Sequence, residues 1–158
     1  MNMQGRMKQH QLLKEEINEI LSCAQVGRIA TQNENGYPYI VPVHFVHMED
    51  KLYVHGLIKG QKISNLLRND KVGFEVDEMS AIIPDYENAC DTNTAYRSVI
   101  ILGTARMVDD PVFKNEILSS IVAKYTPQLS HMSFPEKMMK ATGIIEIQII
   151  ECTGKYYK

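Results

Sequence analysis

The chain has 158 residues, and its 17 Lys and Arg nearly balance its 19 Asp and Glu, for a formal net charge of −2. With 44% hydrophobic and 23% charged residues, the composition excludes a disordered chain and fits one domain over residues 1–158. The near-neutral charge gives no reason to expect nucleic acid or an anionic membrane as a partner.

The first predicted element is a helix over residues 8–24. Its apolar positions recur at helical spacing and form one stripe, so we expect the helix to dock on the core. A strand over residues 26–31 follows. The Asn-Gly dipeptide at the end of residues 33–36 then predicts a hairpin turn.

A long strand is predicted over residues 37–48. Alternate side chains of a strand share a face, and neither face of this strand is purely polar, so we expect burial on both sides. Pro42 lies inside the strand and removes a ladder donor. This indicates an edge, a bulge or a place where another group pairs.

The rest of the chain continues the β pattern and adds two helices. Residues 79–95 show no clear period and predict a long loop, which in a compact domain is often functional. Gly103 indicates a bulge within its strand or a close approach of another strand. The remaining strands are predicted over residues 51–55, 71–77, 96–108 and 144–152, and the helices over residues 61–69, with Leu67 facing inward, and 111–124.

The strands follow one another through tight turns, which favours an antiparallel sheet. We therefore expect a mainly β fold, a six-stranded antiparallel barrel with peripheral α-helices.

Three widely spaced cysteines, Cys23, Cys90 and Cys152, form no CxxC pair. This argues against a disulfide scaffold and against a zinc site. We interpret Cys23 and Cys152 as core thiols and Cys90 as a loop thiol.

The N-terminus is polar and no apolar run is long enough to span a membrane, so we expect a cytoplasmic protein.

The most informative stretch for chemistry is residues 52–70. A strand ends at His55, a glycine-containing loop follows, and a helix begins just after Gly60, flanked by Lys59 and Lys62. The start of a helix offers free N–H groups to an anion, and lysine adds the neutralising charge. The spacing matches neither a Walker loop nor a dinucleotide fingerprint, so an ordinary turn with solvated lysines stays open.

A second candidate is Tyr96-Arg97-Ser98, where a strand offers a guanidinium fork and a hydroxyl to a phosphate. A surface ion pair of Arg97 is the alternative.

Among the histidines, His44 and His47 point to opposite strand faces and cannot ligate one metal together, so no metal site is predicted. His55 lies where a strand becomes a loop, a common place for a working residue.

Taken together, these stretches resemble the FMN-binding split β-barrel proteins related to pyridoxamine 5′-phosphate oxidase, closest to the nitroimidazole-resistance branch. The resemblance covers residues 8–151 and rests on the order and spacing of short motifs. These are GRIAT at 27–31, GYPYIVPVHFV at 36–46, LYVHG at 52–56, GQK at 60–62, VGFEV at 72–76 and YRSVIILGTA at 96–105.

The resemblance implies a six-stranded antiparallel split β-barrel that forms a homodimer with FMN at the subunit interface. It implies a flavin ring along the backbone of Ile40, Val41, Pro42, Val43 and His44.

The resemblance also implies that residues from His55 to Lys62, including Lys59 and Gly60, hold the phosphate and ribityl chain. Lys62 would be the principal charge. Tyr96, Arg97 and Ser98 would approach from another strand.

The function implied is an FMN-dependent oxidoreductase that reduces a small aromatic or nitro-substituted acceptor, with His55 as the candidate catalytic residue. One departure is Gln61, which stands where the family usually has Arg or Lys and removes a positive charge. The alternatives are a non-catalytic protein that binds FMN or haem, with His55 as axial ligand, and an interaction barrel with an empty site.

Overall fold

The computed structural model describes residues 8–158. The helices are α1 (Lys14–Cys23), α2 (Gln61–Arg68), α3 (Pro111–Tyr125) and α4 (Glu136–Ala141). The strands are β1 (Gly27–Gln32), β2 (Pro38–Val43), β3 (Phe45–Met48), β4 (Lys51–Leu57), β5 (Lys71–Ile83), β6 (Asn93–Met107) and β7 (Thr142–Tyr157).

All seven strands form one antiparallel sheet in the order β2-β1-β5-β6-β7-β4-β3. The expectation of a mainly β, antiparallel fold with peripheral helices is confirmed. The strand count of six was wrong, because the strand predicted over residues 37–48 is divided at His44 into β2 and β3. These two pieces are the opposite edges of the sheet, so hydrogen bonds do not close the barrel, and the chain itself joins the two edges.

The core lies inside the curved sheet, where the inward positions of the strands are almost fully buried. Phe45 and Phe74 meet edge to face with ring centroids 5.0 Å apart. A second apolar cluster lies outside β3 and β4 under α3, and it consists of Val46, Tyr53, Ile117, Leu118, Ile121 and Ile144. Burial of these apolar side chains stabilises the packing of α3 against β3 and β4.

The first helix is shorter than predicted and begins at Lys14. Residues before it pair with the end of β7: the N–H of Leu12 donates to the carbonyl of Gly154 over 3.1 Å. The Glu16 carboxylate then accepts the N–H of Leu13 over 2.7 Å and caps the helix start. Cys23, at the helix end, is exposed, so its interpretation as a core thiol was wrong, whereas Cys152 packs against the core.

In α2 the bounds are confirmed to within one residue, but one buried face was assigned wrongly. Leu67 is 77% exposed, while Asn65 is fully buried together with Ile63 and Leu66. The helix is therefore anchored partly through hydrogen bonds.

The long loop predicted over residues 79–95 is also wrong, because β5 and β6 continue as a hairpin arm. Ile83 pairs with Asn93, and a bulge at Ser80 shifts the register. The bulge breaks the alternation that identifies a strand, and the arm has no apolar face buried in the core. At Gly103 the register of β6 and β7 changes, and the extra residue of this bulge is Ile150 on β7. The close approach predicted at Gly103 is confirmed, since a Cβ there would lie 2.5 Å from the carbonyl oxygen of Gln148.

Within residues 8–158, none of the helices has both the length and the apolar character that crossing a membrane requires.

Candidate functional site

The chain runs from β2 through His44 into β3, and only the β3 part pairs with β4. The β2 part therefore diverges from β4, and we call this fork the split. Phe45 and Val54 are the last paired residues before it. Beyond that pair lie His44 and His55, whose rings are stacked with centroids 6.1 Å apart. From this point β2 pairs only with β1, and the end of β4 pairs only with β7, so the two facing edges have no partner strand.

The hydroxyl of Tyr125, at the end of α3, stabilises the fork. It accepts the N–H of Phe45 over 2.9 Å and donates to the carbonyl of the same residue over 3.0 Å. Its ring also stacks on His44 with centroids 4.4 Å apart. One side chain thus satisfies the backbone where the strand breaks and fixes the orientation of His44.

The free edge of β2 has an unusual set of hydrogen-bonding groups. The N–H of Asn33 donates to the carbonyl of Tyr37, and alternation along the register then directs the polar backbone groups of Pro38, Ile40 and Pro42 away from β1. Because proline has no N–H, this edge presents three carbonyls and a single N–H, that of Ile40. Of the three situations that Pro42 indicates, the structure shows an edge strand.

His55 is half-buried on β4, and its Nδ1 atom is buried without a hydrogen-bond partner in the described structure. Burial lowers the pKa of His55, and the neighbouring His44 and Lys62 lower it further. A neutral imidazole with an unused nitrogen is suited to bind a ligand or exchange a proton with one.

Lys62 lies beside His55 in the first turn of α2. Its Nζ is 3.7 Å from the point where a Cβ at Gly56 would lie. It is half-buried and makes no ion pair with any residue in the described range 8–158. Burial lowers the pKa of Lys62, because the ammonium has lost water without gaining a counter-charge. Such a group binds an anion readily.

The loop before α2 is exposed, and so is Lys59 within it. Gly60 has a φ of 128°, which L side chains rarely adopt. No atom lies within 4 Å of a Cβ placed there, so the backbone at Gly60 is open to close approach.

Gln61 points away from Lys62, toward the turn between β1 and β2. Its Nε2 donates to Oδ1 of Asn65 over 2.8 Å, and Nδ2 of Asn65 donates to both Thr31 and Asn33 over 3.0 Å. This network fixes the start of α2 against β1. Beside this network lies an open surface groove of about 540 Å³ lined by Asn33, Glu34, Asn35, Tyr39 and Gln61.

Within one chain, Tyr96-Arg97-Ser98 lies far from the split. His55 pairs with Ile144 near the start of β7, and Arg97 pairs with Tyr156 near its end. Twelve residues of strand correspond to about 40 Å along β7. The structure therefore brings His44, His55 and Lys62 together but does not bring Tyr96-Arg97-Ser98 to them in the same chain.

Arg97 already has two carboxylate partners, Glu78 on β5 and Glu19 on α1. Ser98 differs, since its Oγ is buried without a hydrogen-bond partner in the described structure. It lies on the outer face of β6, opposite Asp77 and Lys155 in the register. Unlike Arg97, Ser98 therefore has a buried polar group that is still unused.

The outer face of the sheet carries apolar side chains along one cross-strand row. Ile40 pairs with Ala30, Ala30 with Gly73, and Gly73 with Leu102. Residues in register share a face, and here Ile40 is 60% and Leu102 42% exposed. This uncovered apolar row contrasts with the face that α3 covers.

Sequence reasoning missed Tyr125 and Asn65. Tyr125 ends α3, 80 residues after Phe45, so no local pattern connects the two residues. Asn65 had a signal, because a polar residue interrupts the apolar positions of a short helix. No group of three His, Cys, Asp or Glu side chains in residues 8–158 is arranged to hold a metal ion.

Comparisons with known proteins agree with this architecture. A family model described as pyridoxamine 5′-phosphate oxidase matches residues 14–156. An uncharacterized protein of Rhizobium meliloti (strain 1021) is 27% identical over 90 residues, which is 57% of this chain and 51% of that protein. The match thus spans about half the length of this curated relative.

Two solved structures share the fold. A candidate 5-nitroimidazole antibiotic resistance protein from Bacteroides thetaiotaomicron superposes with a TM-score of 0.81 at 23% identity, covering 92% of this chain and 85% of that one. The FAD and haem binding protein from Mycobacterium smegmatis gives 0.86 at 18% identity, covering 94% and 74%. At these identities the likeness shows the fold alone.

Proposed function

Because the chain belongs to the pyridoxamine 5′-phosphate oxidase family, we propose that it is an FMN-dependent oxidoreductase that reduces a small aromatic or nitro-substituted acceptor. The observation that carries the proposal is Lys62, a half-buried ammonium without an ion-pair partner among residues 8–158, beside the unused Nδ1 of His55. A phosphate group supplies the counter-charge that Lys62 lacks.

The residues present fit a flavin mononucleotide. At Ile40 the free edge of β2 offers one N–H and one carbonyl, which complement the adjacent acceptor and donor on the pyrimidine edge of a flavin. His44 is held flat against Tyr125 at the closed end of the split. Lys62, Lys59 and the open backbone at Gly60 would bind the phosphate and ribityl chain.

When bound, the flavin supplies the electron transfer, and the protein supplies position and electrostatics. We assign His55 the catalytic role of orienting the acceptor through a hydrogen bond, because its lowered pKa leaves a neutral imidazole, with one N–H donor and one acceptor nitrogen, at neutral pH. The choice of a nitro-substituted acceptor follows the sequence motifs and the description of the Bacteroides protein.

We also propose a homodimer with the cofactor at the subunit interface. Since Ser98 pairs with Lys155, which lies about 36 Å along β7 from Ile144, the partner of His55, we infer that one cofactor touches Ser98 and His55 only if they come from two chains. The exposed row of Ile40 and Leu102 offers an apolar surface for such a contact.

The cysteines in the described range are free, which supports a reducing, cytoplasmic location.

A non-catalytic haem-binding protein is the second candidate. The observation that favours it is the unpartnered Nδ1 of His55, because a histidine nitrogen is a common axial ligand of haem iron. The related fold of the FAD and haem binding protein supports keeping this alternative.

The test is the absorption spectrum of the purified protein, followed by titration with FMN and with haem. Two broad flavin bands and saturable FMN binding are expected. A Soret band with no FMN binding would replace the first candidate with the second. If neither group binds, both candidates are wrong and the empty interaction barrel remains.

Lys62→Ala should weaken FMN binding by roughly 10- to 150-fold, which corresponds to the loss of a charge-assisted hydrogen bond of about 1.5–3 kcal/mol. Isothermal titration calorimetry measures this loss. Lys59→Ala should cost less because Lys59 is exposed, and Lys137→Ala, on the exposed surface of α4, is the control with no effect. Equal affinities for wild type and Lys62→Ala would remove Lys62 from the site.

A further inference from the structure

The hairpin arm formed by residues 78–96 extends beyond the core of the sheet. Every residue from 77 to 92 is exposed. The exposed side chains include the large ones of Met79, Ile82 and Tyr86, which are 64%, 56% and 94% exposed. Apolar side chains that are grouped on an exposed surface mark a contact with another molecule, and the core of this chain does not cover those of the arm.

The tip of the arm is ordered by its own hydrogen bonds. The N–H of Asp85 donates to Oγ1 of Thr92 over 3.1 Å, which joins the two sides of the tip. The carboxylate of Asp85 accepts the N–H groups of Glu87 and Asn88 over 2.9 Å and 2.7 Å, and Nδ2 of Asn88 donates to Asp91. A tip that is held in shape before it meets a partner loses little conformational freedom on binding.

The bulge at Ser80 determines which side chains of the arm share a face. Met79 pairs with Tyr96, and Ile82 pairs with Thr94. Because Tyr96 and Thr94 are two positions apart on β6, their partners lie on the same face of the arm. In a regular strand, side chains three positions apart lie on opposite faces, so the bulge is what brings Met79 and Ile82 together.

This face of the arm continues the exposed apolar row on the outside of the sheet. The even-numbered positions of β6 from 94 to 102 share one face, because side chains alternate along a strand. Leu102 of the apolar row, Ser98, and the arm residues Met79 and Ile82 therefore all point to the same side. Since we propose the outer face as the dimer contact, the arm faces the same partner.

The charges of the arm tip and of the loop before α2 are opposite. From residue 84 to residue 92 the tip has the carboxylates of Asp85, Glu87 and Asp91 and neither Lys nor Arg. Lys59 is exposed and Lys62 is half-buried, and neither makes an ion pair with another residue of the described range 8–158. Opposite charges of this kind orient two surfaces toward each other.

Within one chain the tip and this loop lie at opposite ends of the sheet. The tip follows Tyr96, which pairs with Tyr157 at the end of β7, whereas Leu57, just before the loop, pairs with Thr142 at the start of β7. The attraction between them therefore acts between two chains.

The proposed dimer brings the tip and the loop together. It places Ser98 of one chain at the cofactor of the other, whose phosphate contacts Lys62. Beyond Ser98 the arm continues for five residues to Asn93, about 17 Å, before the tip begins. Lys59 lies three residues before Lys62 at the exposed edge of the site, which is within reach of the tip.

We infer that the arm docks on a second copy of this chain, with the face of Met79 and Ile82 against the outer sheet of that copy and the acidic tip beside its Lys59. Each chain then gives one arm and receives one, as a two-fold axis requires. This inference rests on the homodimer of the proposed function and adds the element that holds the two chains together.

The first test is the dissociation constant of the dimer, measured by analytical ultracentrifugation over a concentration series. Ile82→Lys should raise it by about tenfold or more, because it places a charge in the apolar contact. Ile83→Lys is the matched control, since it makes the same change at the next residue, on the opposite face, at a position that is 38% exposed. It should leave the dissociation constant unchanged.

The second test locates the tip. A carbodiimide joins a carboxylate directly to an amine with loss of water, and in the cross-linked dimer we expect Glu87 to be joined to Lys59, as identified by mass spectrometry. Glu87→Gln should remove this link, whereas Glu34→Gln, at an exposed position of the β1–β2 turn, should retain it. A cross-linked dimer without any link between residues 84–92 and Lys59 would overturn the placement of the tip.

The outcomes separate this inference from the proposed function. If Ile82→Lys dimerises as tightly as Ile83→Lys, the arm is not part of the contact, and the homodimer stands without it. A wild-type protein that is monomeric at every concentration refutes both the homodimer and the docking of the arm. If the wild type fails to bind FMN, the proposed cofactor is wrong, while the dissociation constants of the two variants still decide the role of the arm.

Discussion

His55 makes the stability of the fold depend on pH. Its folded-state pKa lies below the ordinary value of 6.5 because of burial, His44 and Lys62. The unfolded chain therefore binds the proton more readily, and the free energy of unfolding decreases as the pH falls below about 6.5 toward the folded-state pKa. Above about pH 6.5, His55 is neutral in both the folded and the unfolded state and no longer lowers the free energy of unfolding.

Replacing His55 should reduce this loss on acidification. We expect His55→Asn to show a flatter profile of unfolding free energy from pH 7 to pH 5, as measured by urea denaturation. Part of the slope should remain, because burial also lowers the pKa of His47. His131→Asn, at an exposed position, is the control. An unchanged slope in His55→Asn would contradict the assignment of the lowered pKa to His55.

At the residue scale, the sequence predicts best those site residues whose partners are close in the chain. His55, Gly60 and Lys62 were found because a strand, a loop and a helix start follow one another within a few residues, and the structure places His55 beside Lys62. The ion pairs of Arg97 with Glu19 and Glu78 involve three separate elements. Such contacts depend on the register of the sheet, which no local pattern specifies.

At the scale of elements, the break at His44 depends on α3. The hydroxyl of Tyr125 makes both hydrogen bonds to Phe45 at the fork. Without it, the N–H and the carbonyl of Phe45 would lose their partner in a half-buried place.

We therefore expect Tyr125→Phe to lower the free energy of unfolding by about 1–3 kcal/mol, measured by urea denaturation. Flavin affinity should also fall, because His44 loses the support of a fixed ring. Tyr86→Phe, at a tyrosine that is 94% exposed in the arm, is the control. If the free energy of unfolding changes no more than in the control, water makes the hydrogen bonds to the backbone N–H and carbonyl of Phe45 instead.

The close approach of β7 to Gly103, beside the bulge at Ile150, provides a second element-scale prediction. A Cβ at this position would lie 2.5 Å from the carbonyl oxygen of Gln148 and 2.8 Å from Cγ2 of Ile147. Because one of these atoms is backbone, β6 and β7 must separate to admit it.

Gly103→Ala should therefore destabilise the protein by about 1–3 kcal/mol, visible as a lower midpoint in thermal or urea unfolding. Gly73→Ala is the matched control on β5, since the nearest atom, Cβ of Ala30, lies at an ordinary 3.6 Å. Equal stability of the two variants would show that the sheet opens at the bulge without cost.

Strand alternation explains which elements were predictable. It identified the strands that pack on the core, and it failed in two places for different reasons. At Ser80 a bulge disrupts the alternation, so the arm was interpreted as a loop. At His44 the alternation continues without interruption while the pairing partner changes from β1 to β4, and side-chain pattern does not record which strand is the neighbour.

At the scale of the whole molecule, the outer face of the sheet is the expected dimer contact. Leu102→Lys introduces a charge into the row that Leu102 shares with Ile40. It should shift the protein from dimer to monomer in analytical ultracentrifugation, and flavin affinity should fall with it because the partner no longer provides Ser98.

Leu67→Lys, a 77% exposed position on α2 away from this face, is the control and should leave the dimer intact. If Leu102→Lys remains dimeric with full flavin affinity, the contact lies elsewhere. A monomer that still binds flavin at full affinity would instead show that the site is complete within one chain.

The prolines of β2 have a consequence for solubility. An uncovered strand edge is the usual starting point for edge-to-edge aggregation. Along the free edge of β2, two of the three positions that could donate are Pro38 and Pro42, so an incoming strand finds a single N–H to pair with. The same sequence that leaves an open edge for a small molecule thus prevents that edge from templating amyloid-like growth when the small molecule is absent.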